Sequence, residues 1–274
     1  SRDFGRFITY TDIDGKMTLY RGYAQWQHKS GSRFTSYYGI NLQHFALNRE
    51  PAAEPRLGLN FITSEKGSVN AGFGLHSQIQ SKGTYFFQEY DSISDSYSRT
   101  NEDVRFTKSA HFVLGYQHLF SKVFRIKAET YYQHIYKAPV KAAFPEFSMI
   151  NFGDQFGAPI EDSLINRGKG RNYGIELTVE KFLSHGWYLL FTTSIFNSQY
   201  TGYDKVWRNT AFNGNYVLNL LGGYEFRISE KMLLTADLKT VWAGGKRYIP
   251  IDLAASLANK EDIRDWSRAY DKKY

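Results

Sequence analysis

The feature that most constrains the fold is a pair of long alternating segments between residues 169 and 200, joined by the turn Ser184-His185-Gly186. Alternation with period two is typical of a β-strand with one apolar and one wet face. Each segment has about 14 residues, whereas a strand in a globular sheet has about 5–6 and a tilted strand that crosses a bilayer needs about 9–11. The hairpin is therefore long enough to cross a membrane. The apolar positions of its first segment are Tyr173, Ile175, Leu177 and Val179.

The same pattern recurs along the chain and predicts about ten or eleven long strands. An ordinary sheet most often has about 4–6 strands. Further strands are predicted at 17–29, 33–47, 56–63, 68–80, 108–119, 123–137, 211–227 and 231–243, with a short one at 4–10 before a turn at 11–15. Pro51 and Pro55 are expected to end strand pairing, so 48–55 is predicted to be a loop. A short helix is predicted near Leu253–Ala258.

The connections between these strands alternate in length. Short turns are predicted at 30–32, 64–67, 120–122, 184–186 and 228–230, and longer loops at 48–55, 81–107, 138–168, 201–210 and 244–270. Membrane barrels of the outer-membrane type have short turns on one side and long loops on the other. The sequence therefore predicts an all-β, antiparallel transmembrane β-barrel, here an open partial barrel. Residues 1–274 are expected to form a single domain.

Composition supports this fold class and excludes several others. Aromatic residues make up 17% of the chain, with Tyr 21 and Phe 21, which fits barrels with aromatic girdles at both membrane interfaces. Charged residues inside the predicted strands, such as Glu129 and Glu176, would be costly in a sandwich core but not on a wet barrel wall. The net charge of +7 comes without a basic run or a recognition motif, so no nucleic-acid partner is predicted.

The sequence lacks the patterns of a catalytic, cofactor or metal site. Cys 0 excludes disulfides and thiolate ligands. The seven histidines show no ligand spacing, and they are predicted to be ordinary strand and turn residues. No serine lies in a nucleophile elbow, and the paired carboxylates have no spacing that selects acid–base work. The protein is therefore predicted not to be an enzyme, with no cofactor, catalytic or metal residue.

Aromatic side chains in the long predicted loops are the candidate ligand contacts. They could stack on a sugar or a siderophore, or they could pack the loops against each other. The candidates are Tyr85, Phe86, Phe87, Tyr90, Phe147, Phe152 and Trp207.

Several stretches resemble TonB-dependent outer-membrane receptors of the Bacteroidetes type. They are the run L-I-N-R-G-K-G-R-N-Y-G-I-E-L-T-V-E-K-F at Leu164–Phe182, A-E-P-R-L-G-L-N-F at Ala53–Phe61, G-F-G-L-H-S-Q at Gly72–Gln78 and the turn at Ile228–Lys231. The resemblance implies a 22-stranded barrel with an N-terminal plug. The chain shows neither a plug nor closing strands, and residues 1–10 lack a signal peptide, so an internal fragment of the barrel is expected.

The resemblance also implies a function for the parent protein, which is energised uptake of a small-molecule or oligomeric nutrient across the bacterial outer membrane. The implied partners are outer-membrane lipid, TonB through the plug domain and a surface lipoprotein. Two alternatives stay open. One is a passive outer-membrane channel or porin-like barrel without energy coupling. The other is an outer-membrane enzyme or a soluble β-sandwich binding module.

Overall fold

A computed structural model describes residues 2–3, 6–7, 15–154 and 161–274. The predicted strand at 4–10 and turn at 11–15 lie largely outside these residues. The strands are β1 (Arg2–Asp3), β2 (Arg6–Phe7), β3 (Leu19–Ser30), β4 (Phe34–Phe45), β5 (Glu50–Ser64), β6 (Gly67–Gln78), β7 (Glu89–Asp91), β8 (Ser96–Ser98), β9 (Thr107–Ser121), β10 (Phe124–Lys141), β11 (Leu164–Ser184), β12 (Trp187–Thr201), β13 (Trp207–Asn209), β14 (Tyr216–Ser229), β15 (Met232–Ala243), β16 (Arg247–Tyr248) and β17 (Lys272–Lys273).

One antiparallel sheet of 11 strands dominates the structure. Ten long strands follow one another in the order β15-β14-β12-β11-β10-β9-β6-β5-β4-β3, and β13 adds to one end of β12. Each long strand thus pairs with the next long strand along the chain. In the described part of the chain β3 and β15 do not pair with each other, so the sheet is open. The predicted fold class, an open antiparallel barrel wall of ten or eleven strands, is confirmed.

The sheet has an apolar face and a polar face because side chains alternate along each strand. Register fixes which residues share a face. One row of paired residues on the apolar face crosses seven strands and consists almost wholly of aromatics: Trp26, Tyr38, Leu57, Phe73, Phe112, Tyr132 and Tyr173. The polar face carries amides, histidines and charged groups, among them Asn41, Glu54, Arg56, His76, His111, Gln133 and Asn172.

The predicted loop at 48–55 is wrong, because β5 begins at Glu50 and pairs with β4 through both prolines. The Ile62 N–H donates to the Arg33 carbonyl on the β4 side. Orientation alternates along a strand, so the nitrogens of Pro51 and Pro55 face β6. Since β6 pairs with β5 only from Arg56 onward, no ladder bond is lost there. A proline is tolerated in a strand where its nitrogen faces an unpaired side.

The connections alternate in length, as the sequence predicts. Tight turns connect the strands at one end of the sheet. Larger loops, which contain short helices and strands of their own, connect them at the other end. The loop predicted at 138–168 is shorter than predicted, because β10 extends to Lys141 and β11 begins at Leu164. The elements outside the long strands after residue 81 are α1 (Lys82–Tyr85), the hairpin β7–β8, a 3₁₀ helix at Met149–Asp154, β13, the pair β16–β17, α2 (Leu253–Asn259) and a 3₁₀ helix at Trp266–Arg268.

The helix predicted near 253–258 is confirmed as α2. The Asp252 side chain accepts a hydrogen bond from Ala255 N at 2.9 Å and so caps its N-terminus. Among the described residues, no helix has both the length and the apolar character needed to span a bilayer.

Candidate functional site

The polar face carries a continuous belt of hydrogen-bonded side chains, and Glu54 lies at one end of it. Glu54 is 2% exposed. Its carboxylate accepts hydrogen bonds from the Asn41 side-chain amide at 2.8 Å, from the Gln43 amide, and from Ser77 N at 2.5 Å. Arg56 Nη2 donates to the same carboxylate at 3.2 Å. Because a buried carboxylate is costly unless it is hydrogen-bonded, these donors are what allow Glu54 to lie there.

The belt continues from Arg56 across four more strands. Arg56 Nη2 lies 3.5 Å from His76 Nδ1, and the ring centroids of His76 and His111 are 4.4 Å apart. Gln133 Nε2 lies 2.7 Å from His111 Nε2, and Asn172 Nδ2 donates to Gln133 Oε1 at 2.6 Å. A row of donors and acceptors therefore crosses β4, β5, β6, β9, β10 and β11, which is a wall able to bind a polar solute or a polar protein surface.

Alternation alone puts each of these residues on a wet face but does not bring them together. The contact between His76 and His111 depends on the pairing of Gly74 with His111, and alternation does not reveal register between strands that a long loop separates. Within the described ranges, no group of three or more His, Asp or Glu side chains is placed to hold a metal ion.

The long loops share a hydrophobic cluster above the ends of β4 and β5. Phe45 lies at its centre, with ring centroids 5.0 Å from Tyr85 and 6.3 Å from Phe106. Burial raises the pKa of Tyr85 to about 12, so its phenol stays neutral, and its hydroxyl accepts a hydrogen bond from Gln80 N at 3.1 Å. The buried members of the loop core are Phe45, Ala52, Tyr85, Phe86, Val104, Phe106, Phe147 and Leu164.

Asn101 ties two of these loops together. It is fully buried, and its Nδ2 donates to the carbonyls of Thr84 at 3.0 Å and Glu161 at 2.6 Å. Its Oδ1 accepts a hydrogen bond from Leu164 N at 3.0 Å. One amide therefore satisfies three backbone groups that would otherwise be buried without partners.

The seven aromatic candidates for ligand contact fall in different places. Tyr85, Phe86, Phe87 and Phe147 are buried, and three of them belong to the loop core. Their burial favours the alternative in which they pack loops together. Phe152 lines a small cavity beside Phe147. The two candidates that lie elsewhere are Tyr90, whose ring is 5.1 Å from Tyr97 across the β7–β8 hairpin, and Trp207, which is 39% exposed on β13. Ligand contact stays a prediction.

The loop between β12 and β13 is pinned by an ion pair. Arg208 Nη1 and Nη2 donate to the two carboxylate oxygens of Asp204 at 3.0 and 2.7 Å. Burial opposes ionisation of Asp204, but the hydrogen bonds from Arg208 and Val206 N outweigh it, so the pKa of Asp204 lies below its usual value. A carboxyl group whose pKa is lower in the folded state than in the unfolded state stabilises the folded state. The full contribution is present when the pH is above the unfolded-state pKa, and it is lost as the pH falls through the folded-state pKa.

We therefore expect acidification from about pH 6 to about pH 3 to lower the protection of backbone amides at 202–210, since an unperturbed aspartate titrates near pH 3.9. In Asp204→Asn the protection is already low at neutral pH and no longer depends on acid. Amide hydrogen exchange, corrected for intrinsic rates, measures the protection of these amides in the parent and in Asp204→Asn at each pH. If the acid-induced loss were the same in Asp204→Asn as in the parent, another group would be responsible.

No protein-family model matches the sequence, and no curated protein matches it. Solved structures do match. The pyoverdine outer membrane receptor FpvA of Pseudomonas aeruginosa matches with a TM-score of 0.62 and 13% identity over 88% of this chain. The FrpB iron transporter of Neisseria meningitidis gives 0.60 and 14% over 85%, and the ferric yersiniabactin uptake receptor FyuA of Yersinia pestis gives 0.61 and 13% over 84%.

The chain has the fold of a receptor barrel wall. These structural neighbours are TonB-dependent outer-membrane receptors, and at 13–14% identity the likeness shows the fold alone. The chain spans 34%, 35% and 33% of the lengths of FrpB, FyuA and FpvA. It therefore corresponds to about a third of each of these proteins.

Proposed function

We propose that residues 1–274 form part of the barrel of a TonB-dependent outer-membrane receptor that takes up a nutrient with energy supplied through TonB. The observation that carries the proposal is the open sheet of 11 strands that matches receptor barrels over more than four-fifths of this chain. In such a protein the polar face lines the lumen, and a plug domain contacts TonB. The parent protein acts as a transporter and not as an enzyme.

The exposure of the apolar face supports a location in the outer membrane. Trp26, Ile175, Ile195 and Leu238 are each more than 60% exposed. Soluble monomers rarely expose a contiguous apolar surface larger than a few hundred Å². Lipid chains would cover this surface, which includes the aromatic row from Trp26 to Tyr173.

We further propose a ferric chelate as the first class of cargo to test, because FrpB is named an iron transporter and FyuA a ferric yersiniabactin uptake receptor. Oligosaccharides are the second class. A surface lipoprotein that passes cargo to the loops is a further proposed partner.

In cells that make the full-length protein containing this chain, we expect the protein in the outer-membrane pellet after a carbonate wash. We also expect uptake of a radiolabelled ferric chelate from a chemically diverse panel. Deleting TonB should reduce that uptake to the level of cells without the gene. A protein recovered in the soluble fraction would contradict the membrane location. Uptake that persists without TonB would instead favour the passive channel.

A further inference from the structure

Three cationic side chains follow one another on β11, on the long-loop side of the apolar residues Tyr173 and Ile175. Arg167, Lys169 and Arg171 occupy alternate positions, and the two glycines between them are buried. Side chains two residues apart on a strand lie on the same face, about 6.6 Å apart. Lys169 and Arg171 are therefore in line with Tyr173 and Ile175, which continue the same face toward the tight turn. The pairing of β11 with β10 is irregular at Arg167, and Arg167 is placed next to Lys169 by its contact with Tyr203, which follows Thr201, the partner of Lys169, by two residues. We call these three residues the cation ladder.

Neighbouring strands extend the positive charge and add no negative charge. Register places Tyr136 beside Lys169 and, one strand further, Lys108 beside Tyr136. On β9, β10, β11 and β12 none of the positions that share this face is Asp or Glu. Within the described ranges no ladder cation has a carboxylate within 4.0 Å, whereas Lys141 on the same sheet pairs with Glu161 and Asp162.

Aromatic and amide groups hold two of the cations in place. The Arg171 guanidinium lies 4.3 Å from the Trp207 ring centroid, and its Nε donates to Gln199 Oε1 at 2.8 Å. The Arg167 guanidinium lies 5.7 Å from the ring centroid of Tyr203. A guanidinium has five N–H donors, so Arg171 keeps its two terminal nitrogens for another acceptor. These contacts restrict the two arginine side chains, which reduces the entropy lost when an anion binds.

An apolar groove lies on the same face close to the ladder. It has a volume of about 370 Å³ and is lined by Leu57, Phe73, Phe112, Leu114 and Tyr132, among others. The Tyr132 ring is 6.5 Å from the Tyr173 ring, and Tyr173 is the next residue on this face after Arg171. The groove and the ladder are thus neighbours, with the charged part at the loop end of the strands.

We propose that the ladder and the groove bind one membrane lipid whose headgroup carries phosphate. Phosphate oxygens accept hydrogen bonds from the terminal N–H groups of Arg171, since guanidinium groups match phosphate geometry. The positive charges of Lys169 and Arg167 attract the same phosphate. An acyl chain of the same lipid occupies the groove. Ordinary solvated charges on a sheet are mixed in sign, whereas the charged strand positions here are all positive and border an exposed apolar surface. The loop residue Asp103 lines a pocket together with Arg167, and Arg105 and Lys137 line it as well. The inference rests on the proposed location in a membrane.

The test uses the full-length protein in a neutral detergent, with bound lipid counted by native mass spectrometry. The probes are dioleoylphosphatidic acid and dioleoylphosphatidylcholine, which share their chains and differ in headgroup charge. We expect the parent to retain phosphatidic acid preferentially. The variant R167Q/K169Q/R171Q should bind it about tenfold to a hundredfold more weakly, because each cation near an anionic lipid contributes about 1 kcal/mol.

Two controls separate charge from folding. K66Q/K122Q/K231Q removes the same charge from tight turns at the opposite strand ends and should bind like the parent. R167K/R171K keeps the charge and should retain most of the binding. Equal binding of both lipids, or equal loss in the ladder and turn variants, overturns the proposal. So does displacement of phosphatidic acid by millimolar inorganic phosphate, which would indicate a site for free anions.

The readout is independent of transport. Loss of cargo uptake with lipid binding intact would contradict the proposed function alone. Normal TonB-dependent uptake without selective lipid retention would contradict only the lipid site.

Discussion

Glu54→Ala is expected to lower the free energy of unfolding by about 3 kcal/mol, since each buried donor left without a partner costs about 1–3 kcal/mol. The substitution removes the acceptor for Asn41, Gln43 and Ser77 N together. The guanidinium of Arg56 is less affected because its side chain is 50% exposed and can bind water. Denaturant unfolding of the full-length protein in detergent, followed by tryptophan fluorescence, measures the loss.

Glu54→Gln separates hydrogen bonding from charge. The amide keeps one acceptor oxygen and loses the other, which accepts two hydrogen bonds in the parent, so the expected loss is about 2 kcal/mol, the typical net value of two hydrogen bonds. The matched control is Glu225→Ala on the polar face of β14. Glu225 has no side-chain partner in the described part of the structure, and its removal should change stability by less than about 0.5 kcal/mol. Equal effects at Glu54 and Glu225 would show that the hydrogen-bond cluster contributes nothing.

Most of the sheet could be predicted because two periodic signals agree. Alternation of side chains defined the strands, as between Tyr173 and Val179, and turn residues such as Ser184-His185-Gly186 marked the tight ends. The exception at Pro51 and Pro55 has a clear origin. A proline ends pairing only where its N–H would be used, and that depends on which neighbour the strand has at that position. Single-strand patterns do not contain this information.

The candidate site was less predictable for a similar reason. His76 and His111 meet only because β6 pairs with β9 across a long loop. Asn101 looks like an ordinary loop residue in the sequence, and its role follows from three backbone groups that lie far from it along the chain. Aromatic side chains in loops indicate burial and ligand contact equally well. The packing around Phe45 favours burial for Tyr85, Phe86 and Phe147.

Tyr85→Ala is expected to destabilise the loop core by about 3–5 kcal/mol, the usual cost of deleting a large buried aromatic ring. The ring is fully buried and packs against Phe45, so its loss leaves a cavity beneath the long loops. The effect is local, since loops open with free energies lower than that of global unfolding. Hydrogen exchange should therefore show lost protection at 79–106, with the strands of the sheet unchanged.

Tyr85→Phe distinguishes packing from ligand contact at the same position. If Tyr85 acts by packing, this variant loses only the hydrogen bond from Gln80 N, about 1 kcal/mol, and cargo uptake stays normal. If the hydroxyl contacts cargo, uptake falls although loop protection is retained. Tyr97→Ala is the control for removing an aromatic ring from an exposed loop position, because Tyr97 is 46% exposed. A loss of protection at 79–106 as large in Tyr97→Ala as in Tyr85→Ala would mean that the loops are not held by the core around Phe45.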